Sequence, residues 1–267
     1  MTDRFAGSRV LITGGSSGIG AGLAQALAAE GATVGIAARR RDRLAQVLEQ
    51  CRVHAPDSQM WVADLTDPDA VDRLARDAVE QLGGVDILVN NAGIPKHRHV
   101  TRLDAATVDA VMAINYNSPV RLTLALLPHM LERGSGQIVN ISSCAATLSS
   151  PGEAPYGASK AALAVFSESM AVDLWDTGVT VTVVYPGLVD TELFTIEDND
   201  PFDPGVEFIS VEEAAGTILD GMVAGSISVY VPEYFAEFAK GKAQNVDEFL
   251  AGTAEYVKSQ AARQANA

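Results

Sequence analysis

The sequence predicts an α/β chain built on a doubly wound parallel sheet of about seven strands, with helices on both faces. Three observations predict it. Apolar, β-rich runs alternate with helical periodicity along the whole chain. Most of those runs are continuously apolar rather than alternating, as parallel strands covered on both faces must be. Repeated strand–helix–strand succession also requires right-handed crossovers, which place helices on both sides of one sheet.

The elements follow in order. Strands are expected at 9–13, 33–37, 60–63, 87–90, 137–141, 180–184 and 228–231. A helix over 20–30 carries Leu23 and Leu27 on one face and stops at Gly31 as its C′ residue. Asp67-Pro68 pairs an N-cap with an N1 proline and opens a helix that turns Val71, Leu74, Ala78 and Leu82 inward. Ser210-x-x-Glu213 is a capping box for a helix reaching about Gly225. Two segments depart from the pattern. Residues 192–209 are acidic, proline-bearing and irregular, with the composition of a lid. Residues 234–257 form a tail that looks helical and amphipathic, with Phe235, Phe238, Val246, Phe249 and Leu250 apolar.

Bulk properties narrow the function classes. With 267 residues and 48% hydrophobic composition, residues 1–267 can bury one good core, and no linker or repeat marks a second domain. The formal net charge of −15 argues against nucleic acid, whose phosphates would be repelled. No apolar run is long enough for a membrane span, and the N-terminus lacks the apolar stretch of a secretory signal. Cys51 and Cys144 make no disulfide framework, so a cytoplasmic location with reduced thiols is expected. No metal site is expected: His97 and His99 flank Arg98 beside Lys96, which is poor company for a divalent ion.

The first strand runs directly into Thr13-Gly14-Gly15-Ser16-Ser17-Gly18-Ile19-Gly20 and then into a helix. Glycines there let the backbone turn tightly and approach a pyrophosphate, and the helix N-terminus offers free N–H groups and a positive dipole. That context makes the loop a dinucleotide site of the Rossmann type. An NAD site usually carries an acid at the end of strand two. Here the stretch is Ala37-Ala38-Arg39-Arg40-Arg41, with no carboxylate before Asp42. Arginine forks suit a 2′-phosphate, so NADP(H) is expected over NAD(H), with Arg39 and Arg40 as the phosphate ligands. Arg41 and Arg43 are assigned to a solvated helix start.

Tyr156-Gly157-Ala158-Ser159-Lys160 begins a helix, so Tyr156 and Lys160 lie one turn apart on one face. A tyrosine titrates at about 10 in water and is a poor base at neutral pH. A neighbouring ammonium, joined by an oxidised nicotinamide, favours the phenolate and tunes the group for acid/base work. Upstream, the fifth strand ends in Ser142-Ser143 at a carboxyl edge, where open α/β sheets bind ligands.

These motifs, with Asp64-Leu65, Asn90-Asn91-Ala92-Gly93, Asn115 and Pro186-Gly187 followed by Thr191, resemble the single-domain branch of the short-chain dehydrogenase/reductase family. The resemblance spans about Phe5 to Val231. It implies a catalytic set of Asn115, Ser143, Tyr156 and Lys160. Ser143 would bond the substrate oxygen, Tyr156 would exchange the proton, and Lys160 would hold the nicotinamide ribose. Asn115 would hold a water leading to Lys160, with Asn117 off register. The loop residues Gly14, Ser16, Ser17, Gly18, Ile19 and Gly20 would line the pyrophosphate. Asp64 and Leu65 would touch adenine, Asn91, Ala92 and Gly93 would pass behind the adenosine ribose, and Pro186, Gly187, Val189 and Thr191 would meet the nicotinamide. Asn90 is read as a sheet support. Ser17 stands where many NADP-type members place a second basic residue, and its hydroxyl can still donate to phosphate.

By the same analogy the substrate pocket is expected from 94–100, 144–155, Leu188 and 192–209. Ile94, Leu148, Leu188 and Phe194 point to a hydrophobic ketone, aldehyde or acyl substrate, and Glu153, Glu197, Asp198 and Asp200 disfavour a strongly anionic one, although lid carboxylates usually face water. Cys144 is read as a small packing residue behind the site. The apolar helix through Ala164, Val165, Phe166 and Met170 suits an isologous contact, so a homodimer or homotetramer is expected. The tail could cap the pocket or reach a partner subunit; its acids disfavour a membrane surface. Three readings of activity are carried: an NADPH-dependent carbonyl reductase, an NAD-preferring alcohol dehydrogenase with a 3-oxoacyl-thioester reductase beside it, and a non-catalytic dinucleotide sensor.

Overall fold

The computed structural model describes residues 4–196, 198–200 and 207–265. Seven parallel strands form one sheet: β1 Arg9–Thr13, β2 Thr33–Ala38, β3 Gln59–Val62, β4 Ile87–Asn90, β5 Gly136–Ile141, β6 Val179–Pro186 and β7 Ser228–Val231. Their order is β3-β2-β1-β4-β5-β6-β7. Register is direct at the centre, where Val10 pairs with Val34 on one side and Ile87 on the other. The order reverses between β1 and β4, so a crevice opens at their carboxyl ends. Both the glycine loop and residues 91–93 leave the sheet at that crevice.

Between the strands run α1 Gly18–Ala29, α2 Arg41–Arg52, α3 Pro68–Leu82, α4 Ala105–Met112, α5 Ser118–Arg133, α6 Ala145–Leu148, α7 Ala154–Asp173 and α8 Val211–Val223. After β7 come α9 Phe235–Gln244 and α10 Val246–Ala265. The expected caps form: the Asp67 carboxylate accepts from the Asp69 N–H, and the Ser210 hydroxyl from the Glu213 N–H. One core packs α1, α2 and α8 against the sheet around Leu23, Leu27, Ile36 and Ile218. The other packs α3, α5 and α7 on the opposite face around Leu74, Leu88, Leu126 and Ile138. Apolar burial on both faces is what makes the strands continuously apolar. Among the described residues, no helix is long and apolar enough to cross a membrane.

The sequence-based strand limits shift slightly. β3 begins one residue early, and β6 runs on through Tyr185 and Pro186, because β7 pairs with it up to Pro186–Val231. The irregular segment resolves in part. Glu192–Thr195 is a short 3-10 turn, Ile209 bridges Val189 in parallel, and Phe194 meets Phe208 edge-on with ring centres 4.9 Å apart. Glu197 and residues 201–206 lie outside the described residues, so the expected lid is described only around them.

Candidate active site

The glycine loop is built by strand geometry. Gly14 has φ +68°, and a Cβ there would lie 2.7 Å from the Asn91 side-chain nitrogen and 2.8 Å from the Ala92 Cα. Asn91 fastens the loop to β4, its amide donating to the Thr13 carbonyl at 3.0 Å and the Gly14 carbonyl at 3.2 Å. The Thr13 hydroxyl accepts from the Asn91 and Ala92 N–H groups, both at 3.1 Å. Ser17 precedes α1 without a side-chain cap, and the first turn carries no acid. Helix α1 therefore presents positive dipole and N–H groups to the crevice, a cradle that fits an anionic pyrophosphate.

At the far end of the crevice, α7 sets Tyr156 and Lys160 on one buried face. Ser143 follows β5, and its hydroxyl oxygen accepts from the Ala145 N–H at 3.1 Å. Lys160 Nζ donates to the Ile141 carbonyl at 2.8 Å and lies 5.8 Å from the centre of the Tyr156 ring. A Cβ on Gly93 would come within 3.3 Å of Lys160 Nζ, so the missing side chain keeps the lysine open to the crevice.

Electrostatics differ from the expectation of a phenol made acidic by its lysine. Burial raises the Tyr156 phenol above its ordinary value, the Glu153 charge raises it further, and hydrogen bonding with Ser143 opposes this in part. Burial also draws the Lys160 ammonium down to about 8. The reason is burial: both groups sit in a low-dielectric interior, which disfavours the phenolate and the ammonium alike. The protein's own groups therefore keep the phenol protonated. Glu153, partly buried nearby, is itself raised by desolvation.

Asn115 is fully buried at the centre of a π-turn, Ala113–Asn117, between α4 and α5. Its side-chain oxygen accepts from the Ile94 N–H at 2.8 Å, and its amide donates to the Ile94 carbonyl and the Ser159 hydroxyl, each at 3.0 Å. The carboxamide thus binds backbone and α7 directly, while Asn117 is exposed. Asn90 bonds Thr123 at 3.0 Å and Asn140 at 2.8 Å, a sheet-supporting position.

The remaining candidates separate into two groups. Ile19, Asn91, Gly93, Pro186, Gly187, Val189 and Thr191 border one cleft of about 340 Å³ together with Ser143, Tyr156 and Lys160. Asp64 and Leu65 lie away from it beyond β3, Asp64 exposed with its carboxylate accepting from Thr66, Leu65 buried. Arg39 is exposed with Asp64 as a neighbouring charge. Arg40 lies over the loop and donates to the Ser17 hydroxyl at 2.7 Å and the Ser16 hydroxyl at 3.5 Å. Arg43 is not simply solvated: it pairs with Glu192, as Arg40 does.

The substrate side of the cleft is apolar, lined by Leu148, Leu188, Leu193, Phe194 and Phe235. Phe235 packs against Gly187, where a Cβ would fall 2.1 Å from its ring. Its tail position gave no sequence signal beyond amphipathicity. Helix α9 folds back onto its own chain, with Lys242 Nζ donating to the Thr147 carbonyl and Ser149 hydroxyl, both at 2.7 Å. Residues 94–100 do not line this cleft as expected. Ile94 packs into the core, and the basic stretch holds the acids of the irregular segment: Lys96 and Arg98 pair with Asp198, Arg102 with Asp200. Asp198 still faces water, as lid carboxylates usually do, while Asp200 is largely covered, and neither acid lines the cleft. Cys144 donates to the Tyr185 carbonyl at 3.1 Å and is pushed up to about 12 by burial, as a packing thiol is.

Comparison with known proteins agrees with this geometry. Residues 8–201 match the family model described as short chain dehydrogenase. A short chain dehydrogenase of Pseudocercospora fijiensis (strain CIRAD86) is 37% identical over 72% of this chain, which spans 63% of that protein's length. Among solved structures, a short-chain dehydrogenase from Sphingobium yanoikuyae in complex with NADPH superposes with a TM-score of 0.78 at 28% identity, covering 90% of this chain and 95% of that one. A 3-ketoacyl-(acyl-carrier-protein) reductase from Brucella melitensis complexed with NADH gives 0.77 at 27%, covering 85% and 97%. With a cradle for a nicotinamide dinucleotide at one end of the crevice and Tyr156, Lys160 and Ser143 at the other, this chain belongs to the short-chain dehydrogenase/reductase family of oxidoreductases.

Proposed function

We propose that the chain is an NADP(H)-dependent oxidoreductase that interconverts a hydrophobic ketone or aldehyde and the corresponding alcohol, with Tyr156 as general acid/base. The observation that carries this is the meeting of Tyr156, Lys160 and Ser143 at one apolar cleft that opens onto the glycine loop. When bound, the nicotinamide supplies the hydride in reduction and takes it up in oxidation. Lys160, left open by Gly93, holds the ribose hydroxyls. Ser143 and Tyr156 hold the substrate oxygen, and the phenol, kept protonated by burial, gives its proton to that oxygen in reduction. Asn115 positions this set by joining the Ile94 backbone to Ser159 on α7.

Gly14, Ser16, Ser17, Gly18, Ile19 and Gly20 cradle the pyrophosphate. Asp64 and Leu65 hold adenine, Asn91, Ala92 and Gly93 lie behind the adenosine ribose, and Pro186, Gly187, Val189 and Thr191 meet the nicotinamide. Arg39 and Arg40 take the 2′-phosphate, supported by Arg40 lying over Ser16 and Ser17. Dissociation constants for NADPH and NADH, with and without Arg39→Ala, test the cofactor. Unchanged NADPH affinity in Arg39→Ala removes Arg39 from the phosphate site. Cofactor oxidation across ketones, aldehydes and acyl thioesters tests the substrate. The Brucella neighbour supports a 3-oxoacyl thioester as the second reading. Exposed Val165, Val172 and Trp175 along and beyond α7 support a homodimer or homotetramer, and the free thiols of Cys51 and Cys144 support a cytoplasmic location.

A further inference from the structure

Glu192 lies in an unexpected place. It opens the 3-10 turn that follows β6, yet its carboxylate reaches the arginines at the start of α2. Arg40 Nη1 donates to one Glu192 oxygen at 2.8 Å, and Arg43 takes the other. The remaining terminal nitrogen of Arg40 is on the Ser17 hydroxyl at 2.7 Å. The carboxylate is therefore an anion held by two guanidinium groups above the glycine loop, the arrangement arginines use for phosphate. Those same arginines hold the Glu192 carboxyl below its ordinary range.

The segment carrying Glu192 is seated from both sides. Thr191 meets the loop, its Cγ2 standing 3.0 Å from where a Cβ on Gly18 would be, and its hydroxyl accepts from the Leu193 N–H at 3.4 Å. Leu193 and Phe194, next in the turn, form part of the substrate wall.

We propose that Glu192 is a built-in occupant of the 2′-phosphate seat and sets how strongly the protein prefers NADP(H). This rests on the reading that Arg40, with Ser16 and Ser17, receives the 2′-phosphate. A phosphate and a carboxylate repel each other at one guanidinium, so the phosphate of NADPH has to displace Glu192 from Arg40. NADH carries only a hydroxyl at that position and leaves the ion pairs intact. Affinity for NADPH is thereby held below what the arginines alone would give. Displacement also releases the first residue of the turn that bears Leu193 and Phe194, linking the cofactor's phosphate to the substrate wall.

Calorimetric titration of the full chain tests this, using NADPH, NADH, 2′-AMP and 5′-AMP against the parent and Glu192→Gln. The expected result is NADPH and 2′-AMP binding about fivefold tighter to Glu192→Gln, the size of one exposed ion pair no longer broken. NADH and 5′-AMP should stay within about twofold, because they leave that pair in place. In an Arg40→Ala background the gain should vanish. Unchanged or weaker NADPH and 2′-AMP binding in Glu192→Gln overturns the proposal, as does equal tightening of all four ligands. A parent that prefers NADH refutes the cofactor reading alone; tighter 2′-AMP binding in Glu192→Gln would still uphold the role of Glu192.

Discussion

Lys160 and Tyr156 share a buried face of α7, but the lysine ammonium donates to the Ile141 carbonyl at 2.8 Å and stands 5.8 Å from the tyrosine ring centre. The phenol thus keeps its proton in the protein's own field, which suits a general acid for carbonyl reduction. Tyr156→Phe should lower kcat/KM for carbonyl reduction by about 10²–10⁴ while NADPH still binds. Steady-state cofactor oxidation paired with NADPH titration checks this, and parent-like turnover would remove Tyr156 from the chemistry.

Lys160 also leaves a mark on stability. Its folded value is about 8 against an ordinary 10.5, so between those pH values the unfolded chain binds a proton that the folded chain does not. The penalty for a buried ammonium is complete below about pH 8 and is relieved as pH rises. Above about pH 10 the raised Tyr156 acts the other way, because the unfolded phenol ionises first. Urea midpoints from pH 7 to 10 should therefore rise by at most about 3 kcal/mol of unfolding free energy from Lys160, and Lys160→Met should lose that rise. A rise of the same size in the variant would exclude Lys160 as its source.

Glu153 bears on the same phenol from three residues away, its charge raising Tyr156. Glu153→Gln should shift the pH dependence of alcohol oxidation to lower pH, since the phenol then ionises more readily. The pH profile of kcat/KM in the oxidative direction reads this. A shift to higher pH would contradict it.

Asn115 is a structural keystone as well as a member of the proposed catalytic set. Asn115→Ala removes three hydrogen bonds and leaves the N–H and carbonyl of partly buried Ile94 without their partner. The expected cost is about 2–4 kcal/mol, measured from urea unfolding. A cost below about 1 kcal/mol would mean that water replaces the carboxamide readily.

The pairing of Lys96 with Asp198 ties the 94–102 stretch to the segment beyond the Leu193–Phe194 wall. Asp198→Ala should raise KM for a bulky ketone by up to about fivefold, with NADPH affinity unchanged, as the loss of its two ion pairs, with Lys96 and Arg98, allows. Parallel substrate and cofactor titrations distinguish this from a general loss of folding.

Local chemistry alone determined much of this protein. The seven strands, the glycine loop, the Asp67 and Ser210 caps and the family motifs were legible because each depends on neighbours along the chain: periodicity, a turn, a cap, a residue four positions on. Tertiary structure decided whatever depends on burial or on distant partners. That Tyr156 is raised rather than lowered follows from desolvation, which no spacing reports. That 94–100 binds Asp198 and Asp200 instead of lining the cleft, that Phe235 lines it, and that Glu192 sits on Arg40 are contacts between residues far apart along the chain. Opposite charges and apolar rings have many possible partners in a sequence; only the packed sheet and its crevice select one.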